Sequence, residues 1–307
     1  MKLVNAERLT DLEYAAAWRL VPALPEGPAR WLFEAGAGLV ARRRGPGFAR
    51  LRANLSQVAP GASPAELDAL TTAGLRSYAR YWYETFRLPA MDPGKVHTAT
   101  EATGPGLTAM YAALGSGRGV VLALPHSGNW DAAGVWLVAT LRGLGLAPEF
   151  TTVAQRLRPE SLYRRFVGHR EALGFEVVAA TDGMAAHRAL TSRLRGGGVV
   201  CLLADRDVTG GGIPVSLLGA PAKLPVGPAR LAALTGALLV PIYPSYTPRG
   251  WAIAFAEPVP VVDRTAVAAA TQAVADALGA FIAAGPTDWH ALQPIWLPVP
   301  VPVEGPV

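Results

Sequence analysis

The sequence predicts an α/β protein with a central mixed sheet, helices flanking that sheet and an N-terminal helical cap. After Gly94, short β-branched runs alternate with helical stretches, which is the pattern of a sheet covered by helices on both faces. Before that residue, apolar positions recur with the period of a helix. The chain has 307 residues, and one α/β domain fits this pattern better than two independent domains.

The N-terminal cap is predicted over residues 1–90, and its helical pattern runs from residue 5 to residue 87. A strong helix start lies between Ser63 and Glu66. Ser63 can cap the first turn, Pro64 suits the first helical position, and Glu66 completes a capping box. The cap is therefore expected to contain a long helix that starts at this signal.

The catalytic core is predicted over residues 91–293, and an extended, proline-rich tail over residues 294–307. Strands are expected over residues 120–124, 150–153, 175–178, 199–203, 238–243 and 251–255. Helices are expected over residues 130–142, 159–173, 182–195, 225–235 and 264–283, the third of them capped by Asp182. The glycine-rich stretch from Gly210 to Ala222 is expected to be a loop. Strands and helices thus alternate along the core.

The composition is apolar, since 51% of the residues are hydrophobic, 17% are charged and the mean hydropathy is +0.25. This excludes intrinsic disorder of the whole chain. No run reaches the ~18 apolar residues that a membrane-spanning helix requires. The first residues include Glu7, Asp11 and Glu13, which is untypical of a secretory signal, so the chain is expected to stay in the cytoplasm. Cys201, in a predicted buried strand, is expected to be an inert core thiol.

The positive charge is concentrated near the N-terminus. The net charge is +5, and the first 60 residues contribute +4 with nine basic and five acidic residues. A solvated face is the simplest explanation, and an anionic partner is the alternative. Nucleic acid is not expected, because its common binding motifs are absent. Trp18 and Trp31 lie near the arginines, which favours lipid. We therefore expect a peripheral protein on the anionic, cytoplasmic face of the plasma membrane.

The most informative segment runs from Leu124 to Asp131 at the carboxyl end of a predicted strand, where α/β folds place their ligands. His126 follows the strand, and Gly128 permits a tight turn. In this His-x4-Asp pattern the Asp131 carboxylate is expected to contact one imidazole nitrogen, which leaves the other as a general base. The alternative is that Asn129 or Asp131 only caps the next helix and His126 is a polar loop residue.

A second charged segment, Asp205-Arg206-Asp207, follows the predicted strand over residues 199–203. Two carboxylates beside an arginine at a strand end are costly unless they are paired or used in chemistry. The alternative is a turn in which Arg206 neutralises both acids. Because both segments follow buried strands, they are expected at the same type of sheet edge.

Two further sets of residues are candidates for substrate contact. The first is a group of four arginines that could bind phosphate groups, namely Arg156, Arg158, Arg164 and Arg165. The second is the aromatic segment from Tyr78 to Arg87, in which some rings are expected to line a groove. Surface exposure of the arginines and ordinary packing of the aromatic rings are the alternatives.

Metal and serine chemistry are not expected. The remaining histidines are scattered along the chain, namely His97, His169, His187 and His290. The Gly-x-Ser-x-Gly pattern of serine hydrolases is absent around Ser127. The candidate chemistry therefore depends on His126 and the acids near it.

Four segments, taken together, resemble the lipid A biosynthesis (lauroyl/myristoyl) acyltransferase family in order and spacing. They are His-Ser-Gly-Asn-Trp-Asp from His126, Asp-Arg-Asp from Asp205, Leu-Gly-Ala-Pro-Ala from Leu218 and Gly-Pro-Ala-Arg-Leu-Ala from Gly227. The resemblance covers about residues 5–300. Pro125 and the arginine-rich stretch that ends at Leu55 look most like the actinobacterial phosphatidylinositol mannoside acyltransferase branch.

The resemblance implies a glycerolipid-acyltransferase-like fold and transfer of a long-chain acyl group, typically palmitoyl. The implied donor is acyl-CoA, which is a co-substrate rather than a cofactor, and the implied acceptor is a mannose hydroxyl of a phosphatidylinositol mannoside. His126 is implied as the base, Asp131 as part of its motif and Asp205 as a supporting acid, where the family often has Glu. Arg164, Arg206 and Asn129 are expected to bind substrate, with Arg164 the first choice for a phosphate.

Three alternatives stay open at this point. Another glycolipid could be the acceptor, since lipid A-type acceptors suit the same motif. A thioesterase would use the same base on water, and a lipid-binding protein would use none. The choice between acyl-CoA and an acyl carrier protein as donor, and the oligomeric state, also stay open.

Overall fold

A seven-stranded sheet forms the centre of the protein in the computed structural model, which describes residues 2–208 and 210–297. The strands are β1 (Thr100–Thr103), β2 (Val120–Leu124), β3 (Phe150–Ala154), β4 (Phe175–Ala179), β5 (Val199–Leu203), β8 (Leu238–Tyr246) and β9 (Trp251–Phe255). Two more strands, β6 (Ile213–Leu217) and β7 (Ala220–Leu224), form a separate antiparallel hairpin. The order in the large sheet is β1-β9-β8-β2-β5-β3-β4.

Eleven α-helices are found among the described residues. In the N-terminal part they are α1 (Lys2–Leu20), α2 (Glu26–Arg43), α3 (Pro46–Val58), α4 (Pro64–Arg87) and α5 (Pro93–Thr98). The others are α6 (Pro105–Gly115), α7 (Trp130–Gly143), α8 (Glu160–Ala172), α9 (Met184–Arg195), α10 (Gly227–Thr235) and α11 (Val267–Ala284). The predicted class, an α/β core with a mixed sheet and an N-terminal helical region, is confirmed.

The strand directions bring two carboxyl ends together at the middle of the sheet. β2 pairs in parallel with β5 on one side and with β8 on the other. In the β2–β5 register Leu124 lies opposite Leu203, so the residues that follow each strand emerge side by side. The mixed character comes from β9, which runs antiparallel to β8. The two charged segments predicted from the sequence therefore meet at one edge.

Alternating residues of β2 face two different cores. Val120, Leu122 and Leu124 pack in a cluster with apolar side chains of α6 and α7. Val121 and Ala123 pack in a second cluster with side chains of α9, α10 and α11. All five residues are buried, which explains why the strand reads as a continuous apolar run.

The N-terminal cap is organised around α4, which packs against α2 and α3. The predicted capping box is present, since the Ser63 side chain accepts from the backbone N–H of Glu66 and the Glu66 side chain accepts from the backbone N–H of Ser63. The other end of α4 reaches the core, where it contacts the 3-10 turn Pro286–Asp288. The cap is thus attached directly to the part of the core that follows α11.

One segment, Arg264–Ala284, is long and apolar enough to cross a membrane by length and composition, with a mean hydropathy of 1.5 over its best window. The sequence predicts a helix over residues 264–283 but no membrane-spanning run. It packs against β6 and β8, and Val274, Leu278 and Ile282 are among its buried residues. These contacts favour a core helix, because a soluble core helix passes the same test.

Two local predictions differ from the structure, and a third lies mostly outside the described residues. The stretch from Gly210 to Ala222 is not only a loop, because β6 and β7 pair within it. Asp182 does not cap α9, since Gly183 holds the capping position with a positive φ of 50°. Of the predicted tail, residues 298–307 lie outside the described residues, while Trp296 forms a bridge with Ala222.

Candidate active site

His126 and Asp205 meet at the carboxyl ends of β2 and β5. Nδ1 of His126 lies 2.7 Å from Oδ1 of Asp205, and the backbone N–H of His126 donates to Oδ2 at 3.1 Å. The contact arises because each residue lies two positions beyond its strand, and the two strands are neighbours in register. The supporting acid that the family resemblance implies therefore contacts the histidine, although it is the shorter Asp.

The Asp205 carboxylate is buried, and it accepts a further hydrogen bond besides those from His126. Oδ2 also accepts a hydrogen bond of 3.0 Å from the indole N–H of Trp289. Burial alone would raise the pKa of Asp205, but the charge of His126 and the hydrogen bonds from His126 and Trp289 outweigh it and lower the pKa to about 2. Asp205 is therefore ionised throughout the physiological pH range.

An ionised Asp205 fixes the tautomer of neutral His126. A carboxylate only accepts hydrogen bonds, so the proton of the neutral imidazole lies on Nδ1 and the lone pair on Nε2. Nε2 has no hydrogen-bond partner among the residues that the structure describes, and 21% of the His126 side chain is exposed. His126 is thus prepared to take a proton from a bound hydroxyl group.

Asp131 does not contact His126, in contrast to the predicted His-x4-Asp contact. Its carboxylate accepts hydrogen bonds from Arg170 Nε at 2.9 Å and from the Tyr81 hydroxyl at 3.2 Å. α7 begins at Trp130, so Asp131 lies in its first turn and faces α8 and α4 rather than the loop. Burial alone would lower the pKa of Arg170, but Asp131 and Tyr81 raise it above its ordinary value.

Asn129 caps the N-terminus of α7, which is the alternative role that the sequence left open for this residue. Its side-chain oxygen accepts from the backbone N–H of Ala132 at 2.9 Å, and its amide donates to Glu84 at 3.0 Å. Asn129 is 1% exposed. These contacts use both ends of the amide and favour a role in positioning α7 rather than the predicted contact with substrate.

Gly128 is required by the turn that releases His126 from the strand. Its φ is +52°, and a Cβ there would lie 2.7 Å from the backbone carbonyl of Pro244. Any other residue would have both a strained backbone and a steric clash. Beside this turn, the Ser127 hydroxyl donates to the Pro244 carbonyl at 2.8 Å and Ser127 is fully buried. Ser127 is thus a structural residue rather than a nucleophile.

Aromatic residues connect the cap to the site. The Tyr81 ring of α4 stacks on the Trp130 ring, with 4.0 Å between centroids. Trp130 in turn makes an edge contact with the His126 ring at 5.6 Å. From the same helix, Glu84 accepts from the Trp251 indole at 2.7 Å in addition to Asn129. The cap helix α4 therefore helps to build the site and does not only cover it.

The segment that follows α11, Asp288–His290, contacts the backbone of the loop that contains His126. The backbone N–H of Gly128 donates to the carbonyl of Asp288 at 2.8 Å, and the N–H of His290 donates to the carbonyl of His126 at 2.7 Å. Ser127 forms an antiparallel bridge with Trp289. This segment, Asp288–His290, therefore holds the backbone of the motif as well as the carboxylate of Asp205.

His290 is a buried histidine whose backbone adjoins His126. Its Nε2 lies 3.0 Å from the Ser77 hydroxyl, which donates its own proton to Asp288 at 2.7 Å. Ser77 can therefore only accept from His290, so Nε2 carries the ring proton and Nδ1 is a buried lone pair without a partner in the described structure. Burial, reinforced by the charge of His126, lowers the pKa of His290 to about 3.

The two arginines predicted to bind substrate lie in different surroundings. Arg206 follows Asp205 directly, and its Nε is buried without a hydrogen-bond partner among the described residues. Arg164 lies on α8 with 78% of its side chain exposed, 3.5 Å from Glu160. Arg206 is thus next to Asp205 in the chain and has a buried Nε, whereas the contact of Arg164 is a surface ion pair, which has little energetic weight.

A narrow enclosed cavity of about 50 Å³ lies between the sheet and α7. Trp130, Asp131 and Arg170 are found among its lining residues, and the remainder is largely apolar, including Leu122, Leu137, Phe150, Cys201 and Phe255. Burial raises the pKa of the Cys201 thiol, consistent with the predicted inert core cysteine. Because Trp130 contacts His126, the cavity begins one ring away from the base.

The sequence analysis missed Arg170, Trp289 and His290. Trp289 is 84 positions from the Asp205 it contacts, and no spacing signal connects them. The sequence interpretation considered other arginines instead of Arg170. A signal for Arg170 did exist, because the Asp131 carboxylate was expected in a buried helix, and a buried carboxylate requires a cation. His290 was dismissed as one of several scattered histidines, although scattering along the chain does not exclude proximity in the fold.

Comparison with known proteins shows that a chain with this fold and this histidine–aspartate pair is an acyltransferase. The family model described as bacterial lipid A biosynthesis acyltransferase matches residues 3–298. The chain therefore belongs to the bacterial lipid A biosynthesis acyltransferase family.

Two named relatives indicate a particular branch of this family. The chain is 48% identical over 294 residues to the phosphatidylinositol mannoside acyltransferase of Mycolicibacterium smegmatis, covering 94% of this chain and 92% of that protein. It is 49% identical over 292 residues to a protein of the same name from Mycobacterium tuberculosis, covering 94% and 89% of the two chains. The branch suggested by the sequence motifs is thus also the branch of these relatives.

Proposed function

We propose that the protein transfers a long-chain acyl group, palmitoyl as first choice, from acyl-CoA to a mannose hydroxyl of a phosphatidylinositol mannoside. The names of the relatives support the acceptor. The observation that carries the chemistry is the pair of His126 and the buried, ionised Asp205, which leaves Nε2 of the histidine as a base. The donor and the residue roles are part of the proposal.

The mechanism starts with neutral His126. The mannose hydroxyl transfers its proton to Nε2 as its oxygen attacks the thioester carbonyl, and Asp205 stabilises the imidazolium that forms. The tetrahedral intermediate collapses with cleavage of the carbon–sulfur bond. The proton on Nε2 passes to the departing coenzyme A thiolate, so the histidine returns to its neutral form. No covalent enzyme intermediate is needed.

Arg206 is proposed to bind an anionic oxygen of substrate, because a buried guanidinium N–H without a partner is costly until a ligand occupies it. Arg164 is proposed only for a more distant contact, since its side chain is 78% exposed on α8. Asp131, predicted as catalytic, is proposed to act through the structure by holding Arg170 and Tyr81. Asn129 is proposed to act in the same way, through the start of α7.

The enclosed cavity is proposed to receive the acyl chain of the donor. It starts at Trp130, beside His126, and continues between apolar side chains under the sheet. Its volume of about 50 Å³ is well below the ~150 Å³ that holds one benzene ring. A long chain must therefore displace lining side chains such as Phe150 and Phe175, whose rings are 4.5 Å apart.

The cap is proposed to hold the protein on the cytoplasmic face of the membrane. α2 exposes large apolar side chains, including Trp31 (68% exposed), Leu32 and Leu39, and Arg42 and Arg43 lie in its last turn. Such a combination suits an anionic interface. We expect moderate salt to release the protein from anionic vesicles, measured by sedimentation. Equal binding to neutral and anionic vesicles at every salt concentration would contradict the role of charge.

The decisive experiment supplies purified protein with palmitoyl-CoA and phosphatidylinositol mannoside and detects the acylated product by mass spectrometry. His126→Ala is expected to lower the rate roughly 10²–10⁴-fold, which is the usual contribution of a general base. His187→Ala is the matched control, because His187 is a half-buried histidine on α9, an element that does not contribute to the His126–Asp205 pair. Equal turnover by wild type and His126→Ala would contradict the proposed mechanism.

The same assay separates the alternatives. Rapid release of coenzyme A that the glycolipid does not change would identify a thioesterase. Binding of anionic vesicles without turnover of any acyl donor would identify a lipid-binding protein. Acylation of another glycolipid in preference to the mannoside would keep the chemistry and replace the acceptor.

A further inference from the structure

An open apolar groove of about 750 Å³ lies on the cap, between α1, α2 and α4, and we call it the outer groove. Its walls include Tyr14, Phe33, Ala37, Tyr78, Trp82 and Phe86. Of the described residues that line it, Glu13 is the only one with a charge. Three of the aromatic residues that the sequence placed in a candidate groove therefore line it, and one of them, Phe86, also packs in a core cluster of the cap.

We propose that the outer groove binds the acyl chains of the glycerolipid acceptor while its sugar reaches His126. The inference rests on the proposed function, because it assumes that the acceptor is a phospholipid with fatty acyl chains. It adds a binding site for the part of the acceptor that does not react. Apolar surface of this extent on a protein marks a site for an apolar partner.

The groove lies near the base but does not adjoin it. Tyr78 lines the groove, and the Tyr78 ring contacts the His290 ring at 5.2 Å. His290 contacts Trp130 at 6.1 Å, and Trp130 contacts His126 at 5.6 Å. Two rings therefore separate Tyr78 from the base, so a chain held in the groove is offset from the reaction centre.

This offset distinguishes the acceptor from the donor. The acyl chain of the donor is bonded directly to the carbonyl carbon that reacts, so it needs a cavity that starts beside His126, as the enclosed cavity does. The acyl chains of the acceptor are separated from the reacting hydroxyl by glycerol, phosphate, inositol and sugar. They need an apolar site some distance away, and the outer groove is at such a distance.

A cation, Arg206, lies near Tyr78 of the groove and is available for the phosphate of the acceptor. Arg206 follows Asp205 in sequence and is close enough to Tyr78 for its positive charge to act on the phenol. Its Nε is buried and has no hydrogen-bond partner in the described part of the chain. A phosphodiester beside Tyr78 would satisfy this donor, with the acyl chains on one side of it and the sugar on the other.

Gly36 offers a direct way to fill the groove. It lies on α2 and lines the groove, and a Cβ added there meets nothing within 4 Å. Gly36→Trp therefore places an indole in the open space without displacing the backbone. Gly38→Trp is the matched control, because Gly38 is on the same helix, is equally open at Cβ and does not line the groove.

The test compares a diacyl phosphatidylinositol mannoside with its deacylated, water-soluble form as acceptors, both with palmitoyl-CoA in detergent. The measured quantity is the preference for the diacyl acceptor, given as the ratio of the two kcat/KM values. We expect Gly36→Trp to lower this ratio at least about ten-fold, since several methylene groups lose their burial. Gly38→Trp is expected to keep the ratio of the wild type.

Three results would overturn the proposal. The preference for the diacyl acceptor could be the same in wild type and Gly36→Trp. Gly36→Trp could instead change the dependence on acyl-CoA chain length, which would assign the groove to the donor. Gel filtration could show that wild type is a dimer and that Gly36→Trp is a monomer, which would assign the groove to a second copy of the chain.

A binding measurement keeps the proposal separate from the proposed reaction. Dioctanoyl phosphatidylinositol, titrated calorimetrically below its critical micelle concentration, is expected to bind wild type and Gly38→Trp at least about ten-fold more tightly than Gly36→Trp. Glycerophosphoinositol without acyl chains serves as the ligand control. If binding follows this pattern while no acyl transfer is found, the proposed reaction is wrong and the lipid site is supported. If transfer occurs but all three proteins bind the probe equally, the lipid site is wrong.

Discussion

Asp205 and Asp131 are both 2% exposed, and both lie near the carboxyl edge of the sheet, yet their surroundings differ. Asp205 follows β5 and contacts the partly exposed imidazole of His126. Asp131 lies in the first turn of α7 and contacts the guanidinium of Arg170, which is itself mostly buried. One carboxylate has a partner that can gain and lose a proton, and the other has a partner with a permanent charge.

The comparison shows that burial of an acid does not reveal its role, whereas its partner does. An imidazolium can form and disappear during a reaction, so the stabilising effect of Asp205 changes along the reaction coordinate. The attraction between Asp131 and Arg170 is the same in every step. We therefore expect the first pair to control the rate and the second to control the stability of the fold.

The largest expected effect is that of Asp205→Asn on activity. The amide can donate to Nδ1 of His126 and so stabilise the tautomer with its proton on Nε2, which removes the base. We expect kcat/KM to fall roughly 10²–10⁴-fold, measured with the acyl transfer assay on protein whose circular dichroism matches wild type. A loss of less than about three-fold would mean that Asp205 does not support the base.

Asp131→Asn is expected to affect stability first. Removal of one member of a buried ion pair leaves the Arg170 charge without its partner, which costs about 3–5 kcal/mol. Urea unfolding checks the value, and Asp131→Asn combined with Arg170→Met should recover part of it because no unpaired charge is left. If Asp131→Asn keeps wild-type stability but loses as much activity as Asp205→Asn, Asp131 has the catalytic role that the His-x4-Asp pattern suggested.

A smaller effect is expected in the pH dependence of stability. The pKa of Asp205 is lowered from 3.8 to about 2, so its ionised form stabilises the fold by about 2 kcal/mol. This contribution is fully present above pH ~4 and is lost as the pH falls through about 2. The difference in unfolding free energy between wild type and Asp205→Asn should therefore shrink between pH 4 and pH 2. A difference that stays constant over this range would show that the fold does not lower the pKa of Asp205.

The smallest expected effect is that of Trp289→Phe. It removes one hydrogen bond to the Asp205 carboxylate, which is worth about 1.5 kcal/mol for a charged acceptor, or about ten-fold in kcat/KM. Trp296→Phe is the matched control, because the Trp296 indole N–H is buried without a partner among the described residues. Equal losses in the two variants would point to packing of the rings, which are 6.4 Å apart, rather than to the hydrogen bond.

Much of the fold could be predicted from the sequence, because the central strands consist of apolar residues that are buried or half-buried. Val120–Leu124 and Val199–Leu203 read as unbroken apolar runs, and both are strands with the predicted bounds. β1 was missed because Thr-Glu-Ala-Thr has little apolar character. The sequence predicts a loop in place of the β6–β7 hairpin, because Pro214 and Pro221 are untypical of strands. Such residues are tolerated in a two-stranded hairpin outside the main sheet.

The site was predictable as far as local sequence reaches. His126 and Asp205 could be found because each follows a buried strand, and parallel pairing brings such residues together. The contact of Asp131 could not be derived from the His-x4-Asp spacing, since the direction of its side chain depends on where α7 begins and on Arg170 of another helix. Trp289 depends on the path of the chain after α11, which no local pattern specifies.

The segment Asp288–His290 implies that the site is completed late during synthesis of the chain. Its indole and backbone groups complete the surroundings of Asp205 and His126, although it is synthesised 84 residues after Asp205. A growing chain on the ribosome therefore carries the base and its acid long before the carboxylate has its last hydrogen bond and the histidine loop has its support. We therefore expect full activity only when this last stretch has emerged, so that a nascent chain does not consume acyl donor before it has folded.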